Sequence, residues 1–215
     1  MKFINLHTHK VSNTADVLEI INQYPTEFDS NAVHYSIGIH PWKIIEDQVD
    51  HELEIIEQKL QFSNCLAVGE CGLDKRIEAS IDLQTDVFIK QIHLAIKYNK
   101  PIIIHCVGAF QEIIAIKNQF KIRVPMIIHG FSKNEIVAKQ LIDNGFYLSF
   151  GKYLPDNSNL KSVFQSVPND KFFLETDSSN HAIESIYNVA AQFKSLDLLT
   201  LQNQVKSNFN LIFNL

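Results

Sequence analysis

The feature that most constrains this chain is an alternation. Short, nearly continuous runs of Ile, Val, Leu and Phe recur between longer amphipathic stretches. The runs are Phe3–His9, Tyr35–His40, Cys65–Gly72, Pro101–Cys106, Val124–His129, Phe146–Phe150 and Phe172–Asp177. Runs this apolar are what strands look like when a parallel sheet is covered on both faces. Helical spacing fills the gaps: Leu53, Ile56 and Leu60 within 50–62, and Leu83, Val87, Ile92, Ala95 and Ile96 within 82–98. Residues 109–120 and 133–144 continue the pattern, the latter closed by Asn144-Gly145, a helix C-cap signal. Strand, helix and strand in repetition predict βαβ units.

One segment, "DVLEIINQY" over Asp16–Tyr24, reads either as a short helix or as a strand closed by Pro25. Taking Val17–Asn22 as a strand brings the seven runs to eight, the number that closes a (β/α)8 barrel. The expected fold is therefore an α/β chain of the TIM-type (β/α)8 class. It is distorted near the N-terminus, because the span from His9 to His40 has no room for two full crossover helices. At 215 residues, 1–215 is read as one domain.

The histidines and acids fall in a pattern on this scaffold. His7 and His9 close the first run and, two apart on a strand, share a face. His40 closes the third run and Glu70 lies near the end of the fourth. His105 and His129 close the fifth and sixth, and Asp177 closes the eighth. All are expected at the C-terminal ends of parallel strands, where barrel enzymes build their sites. Any one of them alone is more often a satisfied strand-end residue or a loop cap. Seven together would repel and desolvate one another unless a cation joined them. Imidazole with carboxylate, and no thiolate, suits a borderline divalent ion such as Zn2+, Mn2+, Ni2+ or Fe2+. His34, His51, His93 and His181 do not share the pattern: His34 begins a strand, His51 and His93 lie on helices, and His181 starts the last helix. They are read as surface or packing residues.

Other features narrow the class. A formal net charge of −5 gives no global basic surface for holding long duplex nucleic acid. There is no apolar run of membrane-spanning length and no signal-peptide pattern. Three cysteines without a C-x-x-C point to a reduced, cytoplasmic location.

Taken in order, "NLHTH", "GIHPW", "GECGLD", "F-x-x-Q-x-x-LA" at Phe88–Ala95, "KPIIIHC", "IIHGFS", "LETDS" and the closing "SNFNLIF" resemble the TatD-like metal-dependent hydrolases, of the amidohydrolase-type barrels. The resemblance runs from residue 4 to about 213. It implies one or two divalent ions, with Zn, Mn, Mg and Ni as candidates. His7, His9, Glu70 and Asp177 would serve one ion; Glu70, His105 and His129 would serve the other, with Glu70 bridging. It also implies deoxyribonuclease-like hydrolysis of phosphodiesters, single-stranded DNA being a candidate substrate, with His40 lining the site near a phosphate.

The chain departs from the family pattern at Asn5, where the family has Asp, and at Val107, where it has Arg. The loop "SSNHAIESIYN" also lacks the family's Pro-rich, Arg-containing segment. These departures keep a second reading open, a metallohydrolase of a small ester, lactone or amide. A third is a non-catalytic metal-binding relic.

In the first two readings Glu70 and Asp177 are the catalytic carboxylates, Asp177 taking the proton of the attacking water. Lys10, Lys75, Arg76 and Lys152 follow strand ends and are candidates to meet a negative substrate. The thinly covered stretch over 10–34 leaves two expectations: a homodimer that covers it, or a monomer whose loop 25–34, with Tyr24 and Phe28, folds over the gap.

Overall fold

The computed structural model describes residues 2–12 and 14–213. Its strands and helices alternate as the apolar pattern requires. They are β1 (Phe3–Thr8), β2 (Val17–Gln23), β3 (Tyr35–Ile37), α1 (Val49–Leu60), β4 (Cys65–Asp74), α2 (Ile81–Lys97), β5 (Ile102–Val107), α3 (Phe110–Gln119), β6 (Met126–Ile128), α4 (Glu135–Asp143), β7 (Tyr147–Phe150), α5 (Tyr153–Asp156), α6 (Leu160–Ser166), β8 (Phe172–Leu174), α7 (Ile183–Lys194) and α8 (Leu198–Phe213). The eight strands stand in chain order in the sheet, and the pairs β2–β3, β3–β4, β4–β5 and β7–β8 are parallel. That order, with helices in the connections, is the (β/α)8 topology expected from the sequence. The ambiguous segment is a strand, and only a single turn of 3-10 helix (Pro25–Glu27) lies between β2 and β3. The chain packs into two compact units, residues 1–20 with 128–215 and residues 21–127.

In the unit of residues 21–127, β4 is the pivot. All ten of its residues are buried, and its pairing with β5 slips between Val68 and Cys71. Such an irregularity re-aims a side chain, and Glu70 falls within it. The flanking glycines make it possible. Gly72 has φ +143°, and a Cβ there would stand 2.1 Å from the His105 carbonyl oxygen, so no other residue fits.

Two buried glutamines of α2 replace missing strand partners. Gln84 Oε1 accepts from the Asp74 amide at 2.8 Å, and its Nε2 donates to the Asp74 carbonyl at 3.1 Å. Gln91, the Gln of the "F-x-x-Q-x-x-LA" motif, does the same for Ile39, accepting from its amide at 2.7 Å and donating to its carbonyl at 3.2 Å. This is why β3 ends at Ile37 rather than running to His40: the chain leaves the sheet and is held by a side chain instead. The loop before β3 is packed down, with the Phe28 ring edge-on to Tyr35 at 5.1 Å and under the Lys59 ammonium.

In the other unit, α7 and α8 buttress β1 and β8. The Tyr187 hydroxyl donates to the Ile4 carbonyl and accepts from the Ile4 amide. Asn208, within the "SNFNLIF" segment, donates to the carbonyls of Asn169 and Phe172. Asn5 and Thr176 bond reciprocally, each contact 2.9 Å. Phe150, Phe164 and Phe172 stack edge to face in the core.

Several expected boundaries move. β1 stops at Thr8, one residue before His9, and β6 covers only Met126–Ile128. β4 continues past Gly72 to Asp74 because it stays paired with β5 as far as Val107, with Gln84 bonding its other edge. β8 ends at Leu174 instead of Asp177: beyond it Asp177 turns to φ +53° and forms an isolated bridge to Thr8. His181 does not start the last helix. It precedes α7, which begins at Ile183, and α8 is the closing helix.

Candidate functional site

In the unit of residues 1–20 with 128–215, the strand ends gather His7, His9, His129 and Asp177. The backbone does much of this. The Asp177 amide donates to the His7 carbonyl at 3.0 Å, and the His9 amide donates to the Asp177 carbonyl at 3.2 Å. Asp177 Oδ1 lies 3.5 Å from His9 Nε2 and 3.9 Å from His7 Nε2. The His7 and His129 rings are 4.5 Å apart at their centroids. Donor atoms of His7, His129 and Asp177 all fall within 4.8 Å of one another.

Behind His129 stands Glu175, fully buried. Its Oε1 accepts the Gly130 amide at 2.8 Å and faces His129 Nδ1 at 3.3 Å. A carboxylate at that distance fixes the orientation of the His129 ring. Burial pushes the Asp177 carboxyl up, but the charges of His129 and His7 and a 2.8 Å bond from Lys152 override it and hold it below its ordinary range.

In the unit of residues 21–127, a second group forms from His40, Glu70 and His105. The Glu70 amide is fixed by Asn22 Oδ1 at 2.8 Å. Its Oε1 lies 2.9 Å from His105 Nδ1 and 3.1 Å from His40 Nε2. The two imidazoles differ in role. His40 Nδ1 accepts the Trp42 amide at 3.1 Å, so its proton sits on Nε2 and it acts as a donor. His105 Nε2 lies 3.1 Å from Asp74 Oδ2. With Asp74 accepting that proton, Nδ1 and Glu70 present a nitrogen and an oxygen lone pair side by side.

Asp74 is itself fully buried. It also accepts from Trp42 Nε1 at 2.9 Å, from the Arg76 amide at 2.9 Å and from the Arg76 guanidinium. Burial alone would raise its carboxyl, but these donors drive it far below the ordinary range.

Imidazole and carboxylate atoms of His7, His129 and Asp177 fit a divalent cation on their chemistry; in the other group Glu70 and His105 supply the lone pairs, while His40, with its proton on Nε2, supports Glu70. Each group also has an outer carboxylate facing one of its histidines, an arrangement that would support a bound metal. Glu175 and Asp74 are the residues the sequence reading missed. Both stand inside the quoted motifs "LETDS" and "GECGLD", and their signal was an acid at a strand end beside a ligand. The basic candidates are already engaged: Lys75 with Glu112, Lys152 with Asp177, Arg76 with Asp74, and Lys10 with Asn180 Oδ1.

Comparison with known proteins follows the same lines. The profile of the TatD related DNase family matches residues 1–214. A metal-dependent hydrolase of Bacillus subtilis, YabD, is 34% identical over 164 residues, covering 74% of this chain and 62% of that protein. The chain therefore spans about three fifths of that relative's length. A 3'-5' ssDNA/RNA exonuclease, TatD of Escherichia fergusonii, is 27% identical over 146 residues, covering 66% of this chain and 56% of that one. The crystal structure of YjjV, a TatD homologue of Escherichia coli, superposes with a TM-score of 0.85 at 20% identity, covering 99% of this chain and 98% of that one. The fold is the (β/α)8 barrel class that the alternation predicts.

Proposed function

The chain belongs to the TatD related DNase family, and from that premise we propose that it is a single-domain, divalent-metal-dependent hydrolase of phosphodiester bonds. The observation that carries the reading is the pairing of two of the four proposed ligand histidines with their own buried carboxylates, Glu175 on His129 and Asp74 on His105. Such pairs set the tautomer and raise ligand basicity. They have little purpose around histidines that merely pack. His7, His9, Glu70, His105, His129 and Asp177 are the ligands, and they hold one or two ions. A bound divalent ion would acidify a water and polarise the bond attacked.

The chain's own groups do the rest. Asp177 is kept ionised by its neighbours and accepts the proton of the attacking water, worth roughly 10²–10⁴-fold in rate. Lys152, bonded to Asp177, keeps that carboxylate oriented. His40, with its proton on Nε2, donates to Glu70 and so orients that carboxylate. Arg76 fixes its guanidinium on Asp74 while its side chain stays 62% exposed, which places its positive charge within reach of an anionic substrate. A relative that acts on single-stranded DNA and RNA makes a single strand the substrate to test first.

A second reading, hydrolysis of a small ester, lactone or amide, is favoured by Val107 and by the engagement of Lys75 and Lys152 with carboxylates. Metal-loaded protein assayed against single-stranded DNA, bis-p-nitrophenyl phosphate and a panel of lactones and esters separates the two. Turnover confined to the lactones and esters refutes the phosphodiester reading. A cytoplasmic location accords with Cys65, Cys71 and Cys106, which are buried and unbridged; among the described residues no helix is long and apolar enough to cross a membrane.

A further inference from the structure

Trp42 is the chain's one tryptophan. Large aromatics are highly buried on average, yet this one is 62% exposed, so core packing does not account for it. The chain nevertheless presents it rigidly. In "HPWK", His40 caps a 3-10 turn over Pro41–Lys43 and its Nδ1 accepts the Trp42 amide at 3.1 Å. Pro41, at the first position of that turn, fixes the backbone just before the indole. Lys43, the next residue, lies over the Tyr24 ring at 3.9 Å and on Glu27 at 2.8 Å.

From this turn the indole N–H donates at 2.9 Å to Asp74 Oδ2, the same oxygen that lies 3.1 Å from His105 Nε2. Asp74 ends β4 and is fully buried. Arg76 bonds it too, but from two residues away and on a side chain 62% exposed. That bond is screened by solvent and does not tie the carboxylate to another part of the fold. The indole bond does, across 32 residues of chain. An indole N–H is a donor only, and its bond to an ionised carboxylate is stronger than one between neutral groups. The indole ring stands 6.0 Å from the His105 ring, edge to face, so the turn, the carboxylate and the imidazole form one connected unit.

We propose that Trp42 is a positioning residue: through its N–H, and not through its ring, it locks Asp74 and thereby holds His105 in the orientation a metal ligand needs. The proposal rests on the metal-dependent reading of His105 and deepens it, carrying the support of that ligand one residue further out.

Two variants separate the N–H from the ring. Trp42→Phe keeps an aromatic ring and removes the donor. Trp42→Gln removes the ring and restores an N–H at similar reach. In competition with a chromophoric chelator, Trp42→Phe should bind divalent metal about 10-fold more weakly, the lower end of the range for outer supports of ligand histidines. Trp42→Gln should return affinity toward wild type. A role in packing or shielding predicts the reverse order. A second readout needs no metal. In nitrogen NMR spectra of metal-free protein, the His105 ring signals should move in Trp42→Phe and return in Trp42→Gln. The proposal is overturned if Trp42→Phe binds metal like wild type, if Trp42→Gln binds no better than Trp42→Phe, or if the His105 signals ignore both changes. Wild-type protein that holds no divalent ion refutes the metal reading instead, and the His105 ring signals then decide the positioning role by themselves.

Discussion

Asp74→Asn perturbs the site without touching a proposed metal ligand. The amide has nearly the same shape, so no cavity opens. What changes is the charge on a fully buried group that serves His105, Trp42 and Arg76. The Arg76 pair contributes little, since that side chain is 62% exposed and solvent-screened pairs are worth about 0–1 kcal/mol. The bonds to His105 and Trp42 matter more. A hydrogen bond to a charged group is worth about 1.5–3 kcal/mol, and the amide weakens both.

Stability should therefore fall by about 2–4 kcal/mol, read as a lower urea midpoint with an unchanged slope. Divalent-metal affinity should fall about 10- to 100-fold, as for other outer carboxylates on ligand histidines, measured by competition with a chromophoric chelator. The sign of the pH effect follows from the depressed carboxyl. Its contribution is full above the unfolded value near pH ~3.9 and is lost only as pH falls through the lower folded value. Wild type and variant should therefore differ most above pH ~4 and converge in stronger acid. A variant that unfolds earlier yet binds metal as tightly as wild type would refute the assignment of Asp74 to His105, leaving only a structural role.

Other outcomes follow from single contacts. Asp177→Asn should keep bound metal while losing about 10²–10⁴-fold in turnover on the best substrate; a full rate would remove Asp177 from the chemistry. Glu175→Gln should lower metal affinity about 10- to 100-fold through His129 alone, and an unchanged affinity in the chelator competition would dismiss that support. Gly72→Ala places a methyl 2.1 Å from the His105 carbonyl at φ +143°. It should cost about 3 kcal/mol or more, so soluble protein with a wild-type urea midpoint would contradict the β4 geometry.

The parts of the fold that were legible in the sequence are those that periodicity encodes. Apolar runs gave the strands, and spacing gave α1 to α4. Even the ambiguous Val17–Asn22 resolved correctly, because strand number is a global constraint that a local pattern lacks. Strand ends were less legible. That of β3 is set by a side chain from a distant helix, Gln91 on Ile39, that of β4 by its pairing with Val107 and by Gln84 on Asp74, and that of β8 by the turn at Asp177. No hydrophobic pattern records such bonds.

The site followed the same division. Histidines are rare enough at strand ends to stand out, so His7, His9, His105 and His129 could be named as candidates, and the fold brings them to the strand ends. Asp74 and Glu175 could not, since a buried acid beside a strand end looks like any capping residue until its histidine is seen. The roles of two substrate candidates also needed contacts. His40 shows its donor face only through the Trp42 amide, and Lys152 its carboxylate partner only through the fold.

The account's central claim is that this chain holds divalent metal through those histidines and acids. Elemental analysis after reloading metal-free protein with Mn2+ or Zn2+, followed by exhaustive dialysis, tests it most directly. The account predicts one or two ions retained per chain with micromolar or tighter affinity, and loss of retention when His7 and His9 are both replaced by alanine in a chain that still folds. A folded wild-type chain that retains no divalent ion would contradict it.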